Sequence, residues 1–316
     1  MNKKNDNIIE DYITAYEYES NVNPLLGNIP IFQKNINDCN YGITFINFSD
    51  VYKADYKCTS PNLLASFIKL KGNETIVFPD FSRFSWINNV SNLMYVINGK
   101  CDVIYSNNKI NDAPCSFVLE KGDIFICPSF TSFTIKNICE DELNIYYIND
   151  SPLINFLGCS PTHTIFSPSV YKKDFLEKNI LNLSNEKNNR KGILLSNKDT
   201  EKFGINTITP VLWALYNELP PKTIQRHHRH NSVALDLCIR CDDPTKIYTL
   251  IGEKLDENGD IVNPQKIYWK TSEMFITPPG LWHSHHNEGD TTAYILPIQD
   301  AGLLLYQRIL GIQITR

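Results

Sequence analysis

No apolar run long enough to cross a bilayer occurs in this 316-residue chain. Its polar start, MNKKNDNIIEDYITAYEYES, has no hydrophobic stretch of the kind that directs export, so the expectation is a cytoplasmic protein. Positive charge is not in excess either. A net charge of −5 argues against nucleic-acid and anionic-membrane partners. The small basic run at Glu186–Lys191 reads as a solvated linker. Gly-x-Ser-x-Gly is absent, which removes one common nucleophile turn, and so are glycine-rich phosphate loops. The nine cysteines are an odd count, scattered singly except for Cys238-Ile239-Arg240-Cys241, which argues against a disulfide framework. That pair falls in an apolar strand and reads as core packing, with a redox role or an auxiliary metal site as alternatives. At 42% apolar and 21% charged residues, the chain has the composition of a soluble globular protein large enough for two cores.

Against this plain background the histidines are distributed unevenly. Six of the seven fall in two runs, Gln225-Arg226-His227-His228-Arg229-His230 and Trp282-His283-Ser284-His285-His286. Imidazole is the commonest neutral metal ligand, so two such runs in one chain point to one site assembled by the fold, the alternative being solvated surface histidines. Side chains two apart on a strand share a face, so His228 and His230 can point inward while Arg229 points away. His283 follows Pro278-x-Gly280, a strand entering a tight turn, and supplies a third ligand. His163, alone between the halves, reads as structural or exposed.

His228-x-His230 with Pro278-x-Gly280-x-x-His283-x-x-x-Asn287 resembles the two motifs of the cupin superfamily. No glutamate follows the second histidine at the usual distance, since that stretch holds Ala234 and Leu235. The resemblance therefore narrows to three-histidine bicupins, the gentisate, salicylate and 1-hydroxy-2-naphthoate dioxygenases. Their His-Arg-His-x-x-x-Ala-Leu string is matched at positions 228–235, and their Leu-Trp-Ala at 212–214. The resemblance implies an all-β fold of two tandem double-stranded β-helix (jelly-roll) barrels with short peripheral helices. It also implies that His285 touches substrate and the oxygen-derived intermediate.

A second copy is legible upstream. Shifted by 150, Gly122-Asp123-Ile124-Phe125-Ile126-Cys127-Pro128 falls on Ser272-Glu273-Met274-Phe275-Ile276-Thr277-Pro278, Asn137 on Asn287, and Asp150-Ser151 on Asp300-Ala301. The expected organisation is an arm over 1–60, a barrel over 61–158, a linker with a helical segment over 159–205, and a second barrel with a C-terminal helix over 206–316. In the first copy His283 becomes Phe133 and the paired histidines fall near Trp86 and Asn88, so that barrel is expected to be structural. Homo-oligomerisation is left open.

Three neutral histidines leave a divalent metal its full charge and open coordination positions. The resemblance implies Fe(II), a small hydroxylated aromatic acid, O2 and ring cleavage; Zn, Mn or Ni with isomerase, lyase or hydrolase chemistry, or binding without turnover, are alternatives. His285 is expected to act as acid or base or to lie behind the ligands, and Trp213 to wall the pocket or fill the core. On an unbroken strand Arg226 shares the parity of His228 and His230 and would bind an anion there; a bulge would turn it outward. Family members commonly carry a carboxylate-binding arginine eight residues after the first histidine. Here that position is Asp236, facing the cavity by parity or acting as a fourth ligand, so gentisate is expected to be a poor substrate.

Overall fold

The structure is a computed structural model that describes residues 28–78, 89–106, 113–129, 132–183 and 191–315, with isolated positions before residue 28. The arm contributes β1 (Gln33–Asn35) and β2 (Gly42–Ile46). The first barrel follows with β3 (Leu64–Leu70), β4 (Thr75–Phe78), β5 (Asn92–Asn98), β6 (Lys100–Ser106), β7 (Cys115–Glu120), β8 (Ile124–Cys127), β9 (Ser132–Asn137) and β10 (Leu143–Asn149). The linker carries β11 (Ser169–Tyr171) and β12 (Lys191–Leu195) around the helix Lys173–Leu181. The second barrel comprises β13 (Trp213–Leu219), β14 (Thr223–Ile224), β15 (His228–His230), β16 (Ala234–Arg240), β17 (Ile247–Gly252), β18 (Gln265–Tyr268), β19 (Glu273–Thr277), β20 (Trp282–Asn287) and β21 (Ala293–Gln299). The helix Ala301–Tyr306 and β22 (Ile312–Ile314) close the described chain.

Each barrel is two antiparallel sheets, and the strand sequences say which sheet is which. Lys100–Ser106 alternates exposed and buried residues because only one face meets the core, the other facing water. Leu143–Asn149 is buried at every position because both its faces are covered. Leu143, Ile145 and Tyr147 point into the first barrel, while Tyr146 and Ile148 join a cluster with Leu235, Leu237, Leu296 and Ile298 of the second. The described residues thus form three apolar clusters, one inside each barrel and one where two six-stranded sheets stack between them.

Arm and linker extend those sheets. β1 pairs with β19 of the second barrel and β2 with β3 of the first, so the arm passes from one barrel to the other. β11 borders β8, and β12 borders β13.

The duplication is carried into the hydrogen bonds. Asn137 Nδ2 donates to the carbonyls of Lys71 and Asp141 while its Oδ1 accepts from Cys139 N. Asn287 repeats the pattern with Leu219, Thr291 and Gly289. Asp150 and Asp300 precede the matching helices Ser151–Phe156 and Ala301–Tyr306. The first barrel's interior is filled with rings: Phe133 lies 6.1 Å from Phe78 and 6.0 Å from Phe125, centroid to centroid. Trp86 and Asn88 lie outside the described residues.

Candidate metal centre

The turn at Pro278–Gly280 aligns the two histidine runs. Gly280 sits at φ +80, a backbone conformation open to glycine at little cost, and its N–H donates to the His230 carbonyl at 2.7 Å. That tie fixes the entry of β20 against β15, and His228 comes into register opposite His283. Alternation then divides the six clustered histidines. His228, His230, His283 and His285 line one small cavity with Trp213, Ala234, Asp236, Pro297, Gln299 and Ile312. His227 and His286 face the other side of the sheet, where the Ser284 hydroxyl lies between them at 2.9 and 2.8 Å. Burial beneath Tyr248, stacked 4.8 Å away, pushes the His286 pKa down to about 4, so this outer imidazole is neutral.

Hydrogen bonds set the tautomers of three of the inner four. His228 Nδ1 is 3.0 Å from the Arg226 carbonyl, His230 Nδ1 2.9 Å from that of Ser232, and His283 Nδ1 3.1 Å from that of Leu281. A carbonyl can only accept, so each Nδ1 carries the proton and each Nε2 the lone pair. Backbone carbonyls orient metal-binding imidazoles in this way. His285 differs. Its Nδ1 lies 2.8 Å from the Thr249 hydroxyl, which also accepts from Trp269 Nε1–H at 2.8 Å, so His285 alone of the four meets a hydroxyl rather than a carbonyl at Nδ1.

The ring centroids of His228 and His283 are 4.1 Å apart, those of His230 and His283 4.8 Å, and those of His228 and His230 6.3 Å. Three neutral imidazoles whose lone-pair nitrogens are set by backbone carbonyls fit a divalent metal. Among the described residues no three acid, thiol or imidazole groups already converge to metal-holding distances, so ligation requires small ring movements.

Asp236 is buried, faces the cavity through regular pairing with Phe275 and Pro297, and accepts from Thr277 Oγ1 at 2.8 Å. Trp213 is half-buried on the cavity wall. Arg226 is a correction: it is exposed and does not line the cavity. Residues 225–227 leave the strand between β14 and β15, so parity does not carry back from His228, and Gln225 is buried in its stead. Cys238 and Cys241 pack in the second barrel's core, and all nine cysteines are reduced thiols. Sequence reasoning missed Ser232, Thr249, Gln299 and Ile312. Thr249 and Gln299 reach the site across strands, Ser232 stands two residues beyond His230, and Ile312 comes from β22, which pairs with β15. The enclosed volume is about 30 Å³, space for roughly one or two waters.

Residues 81–177, within the first barrel and the linker, match the family model described as Cupin. No curated protein matches the chain. Among solved structures, salicylate 1,2-dioxygenase from Pseudaminobacter salicylatoxidans superposes with a TM-score of 0.60 at 14% identity, over 81% of this chain and 76% of that one. A single-site variant of the enzyme from that organism, in complex with gentisate, gives 0.69 at 12% identity over 96% and 92%. A variant of oxalate decarboxylase from B. subtilis gives 0.54 at 12% over 87% and 78%. No described helix is long and apolar enough to cross a membrane. From the strand order, the internal repeat and these superpositions, the chain has a bicupin fold, two tandem cupin barrels of which the second holds the histidine-lined cavity.

Proposed function

We propose that the second barrel is a metal-dependent active site and that the chain is an Fe(II) ring-cleaving dioxygenase for a small aromatic substrate other than gentisate, with O2 as co-substrate. The observation that carries this reading is what meets Nδ1: three cavity imidazoles set it against backbone carbonyls, and the fourth against a threonine hydroxyl. His228, His230 and His283 would hold the metal, a donor set that Zn, Mn or Ni also accept. Ferrous iron, when bound, supplies a Lewis-acidic centre that lets substrate and O2 meet and exchange electrons. His285, held at Nδ1 by the Thr249 hydroxyl instead of a carbonyl, would donate from Nε2 to a developing oxyanion and take the proton back later. Trp213 offers a ring face to an aromatic substrate. Asp236 would repel an acid group where the resembling dioxygenases attract one, which makes gentisate a poor substrate in this reading.

One observation favours a second reading. Small-molecule pockets usually enclose some 300 Å³ or more, and this cavity encloses about 30 Å³. Unless Ile312 moves aside, the site suits a ligand of a few heavy atoms and non-oxidative metal chemistry.

The test is metal analysis of untagged protein purified without chelators, with O2-uptake assays on a panel of hydroxy- and aminoaromatics. Iron together with substrate-dependent O2 consumption is expected. Stoichiometric zinc without O2 uptake would select the second reading.

A further inference from the structure

Gln299 pairs in register with both Trp213 and Ala234, which sets its side chain on the cavity wall. Its amide could point either way, and neighbouring hydrogen bonds decide which. His230 Nδ1 must donate to the Ser232 carbonyl, so that nitrogen cannot also accept from the Ser232 hydroxyl 3.1 Å away. The hydroxyl proton goes instead to Gln299 Oε1 at 2.7 Å. The amide oxygen is thereby held back. The amide nitrogen makes no hydrogen bond with the described residues and is not among their buried, unpartnered polar atoms. It borders the cavity with two N–H donors. Across the same face, Asp236 lies one strand over and two residues along from Ala234, a diagonal neighbour of Gln299. Donor and acceptor thus share one wall of the cavity.

We infer that Gln299 is a specificity-determining residue, oriented by Ser232, that binds a substrate oxygen while Asp236 binds a neighbouring N–H or O–H donor. This rests on reading the cavity as a metal-dependent site for a small aromatic, and narrows the substrate to rings that carry an oxygen and an amine or hydroxyl rather than an acid. Such a residue does for a neutral substrate what the missing arginine would do for an anion.

The experiment is anaerobic titration calorimetry of 2-aminophenol and of salicylate into iron-loaded protein, with metal content and melting temperature measured on each sample. Wild type should prefer 2-aminophenol. Gln299→Leu and Gln299→Glu should each weaken it about tenfold, the worth of roughly one hydrogen bond made in a dry site. Ser232→Ala, which releases the amide to rotate, should weaken it by a smaller factor. Metal content and melting temperature should hold in the Gln299 variants, since a merely structural role would move those two readouts instead. Unchanged 2-aminophenol affinity in Gln299→Leu, or a wild-type preference for salicylate, overturns the inference and leaves the metal site standing. Wild type that takes up no metal overturns the underlying reading and the inference with it.

Discussion

The four cavity histidines share one chemistry and differ in what holds Nδ1, a carbonyl for three and a hydroxyl for His285. Mutation should expose that division. Replacing His228, His230 or His283 by Ala should abolish most metal binding, because two imidazoles make a weaker set than three. His285→Ala should retain metal and lose turnover by roughly a hundredfold or more, as expected when an acid–base group is removed. Metal analysis beside turnover checks both, and loss of metal in His285→Ala would contradict its exclusion from the ligand set. Thr249→Val goes one residue further back. It leaves Trp269 Nε1–H buried without an acceptor, which costs about 1–3 kcal/mol, and it removes the hydroxyl that meets His285 Nδ1. The variant should melt lower and show an altered pH profile of turnover. The inward pair His228 and His230 is readable from spacing alone. Arg226 is not, because the chain leaves the strand before it and parity applies only within an unbroken one.

Among the elements, β22 is the one that brings a side chain to the cavity from the end of the chain. Three residues pair with β15, Arg229 Nε donates to Gln313 Oε1, and Asn231 bonds both Ile309 and Gly311. Ile312 lines the cavity, yet Ile312 and Ile314 are 46% and 45% exposed, so little burial holds the strand down. Removing residues 312–316 should open the cavity, speed metal loss to a chelator several-fold and leave the melting temperature nearly unchanged. An unaltered rate of metal loss would show that access runs elsewhere. In the first barrel the element that matters is β9. Phe133→Ala should destabilise by about 3–5 kcal/mol, as a large ring leaving a packed interior does, and no variant of that barrel should change the metal content. His283 and Phe133 occupy equivalent positions of a repeat, so this contrast is legible in the sequence. The strap is not: nothing in Gly311-Ile312-Gln313-Ile314 says which strand it will meet.

At the scale of the whole molecule the barrels share a core, and unfolding should follow one cooperative transition rather than two. Buried carboxylates make that stability depend on pH. Desolvation raises the Asp150 pKa to about 6 from 3.8, and its Oδ2 has no hydrogen-bond partner among the described residues. The folded state binds this proton more tightly than the unfolded one. Its contribution is therefore complete below pH 3.8 and is lost as pH rises through 6, a change of about 3 kcal/mol. Asp300, also raised to about 6, acts in the same direction, whereas His286, lowered to about 4, works in the opposite one below 6.5. Comparison with Asp150→Asn separates the terms. As pH rises from about 4 to 7 the melting temperature of the variant should improve against wild type by on the order of 5 °C. A constant difference would mean that the carboxyl is not held protonated by burial.

What this sequence determined by itself is local or repeated along the chain: strand alternation, the turn before His283, the duplication at an offset of 150, and the loss of ligands from the first copy. Those follow from steric rules between near neighbours and from copying, neither of which needs a partner strand. Tertiary structure decided what depends on register and on groups far apart in sequence. It separated four cavity histidines from two outer ones, set three of their Nδ1 atoms against carbonyls and the fourth against Thr249, and turned the Gln299 amide through Ser232. It also paired the last strand with β15, which puts Ile312 on the wall of a cavity of about 30 Å³. A hydrogen bond across strands is directional and depends on which residues pairing brings opposite, and that is not written in the spacing of any one strand.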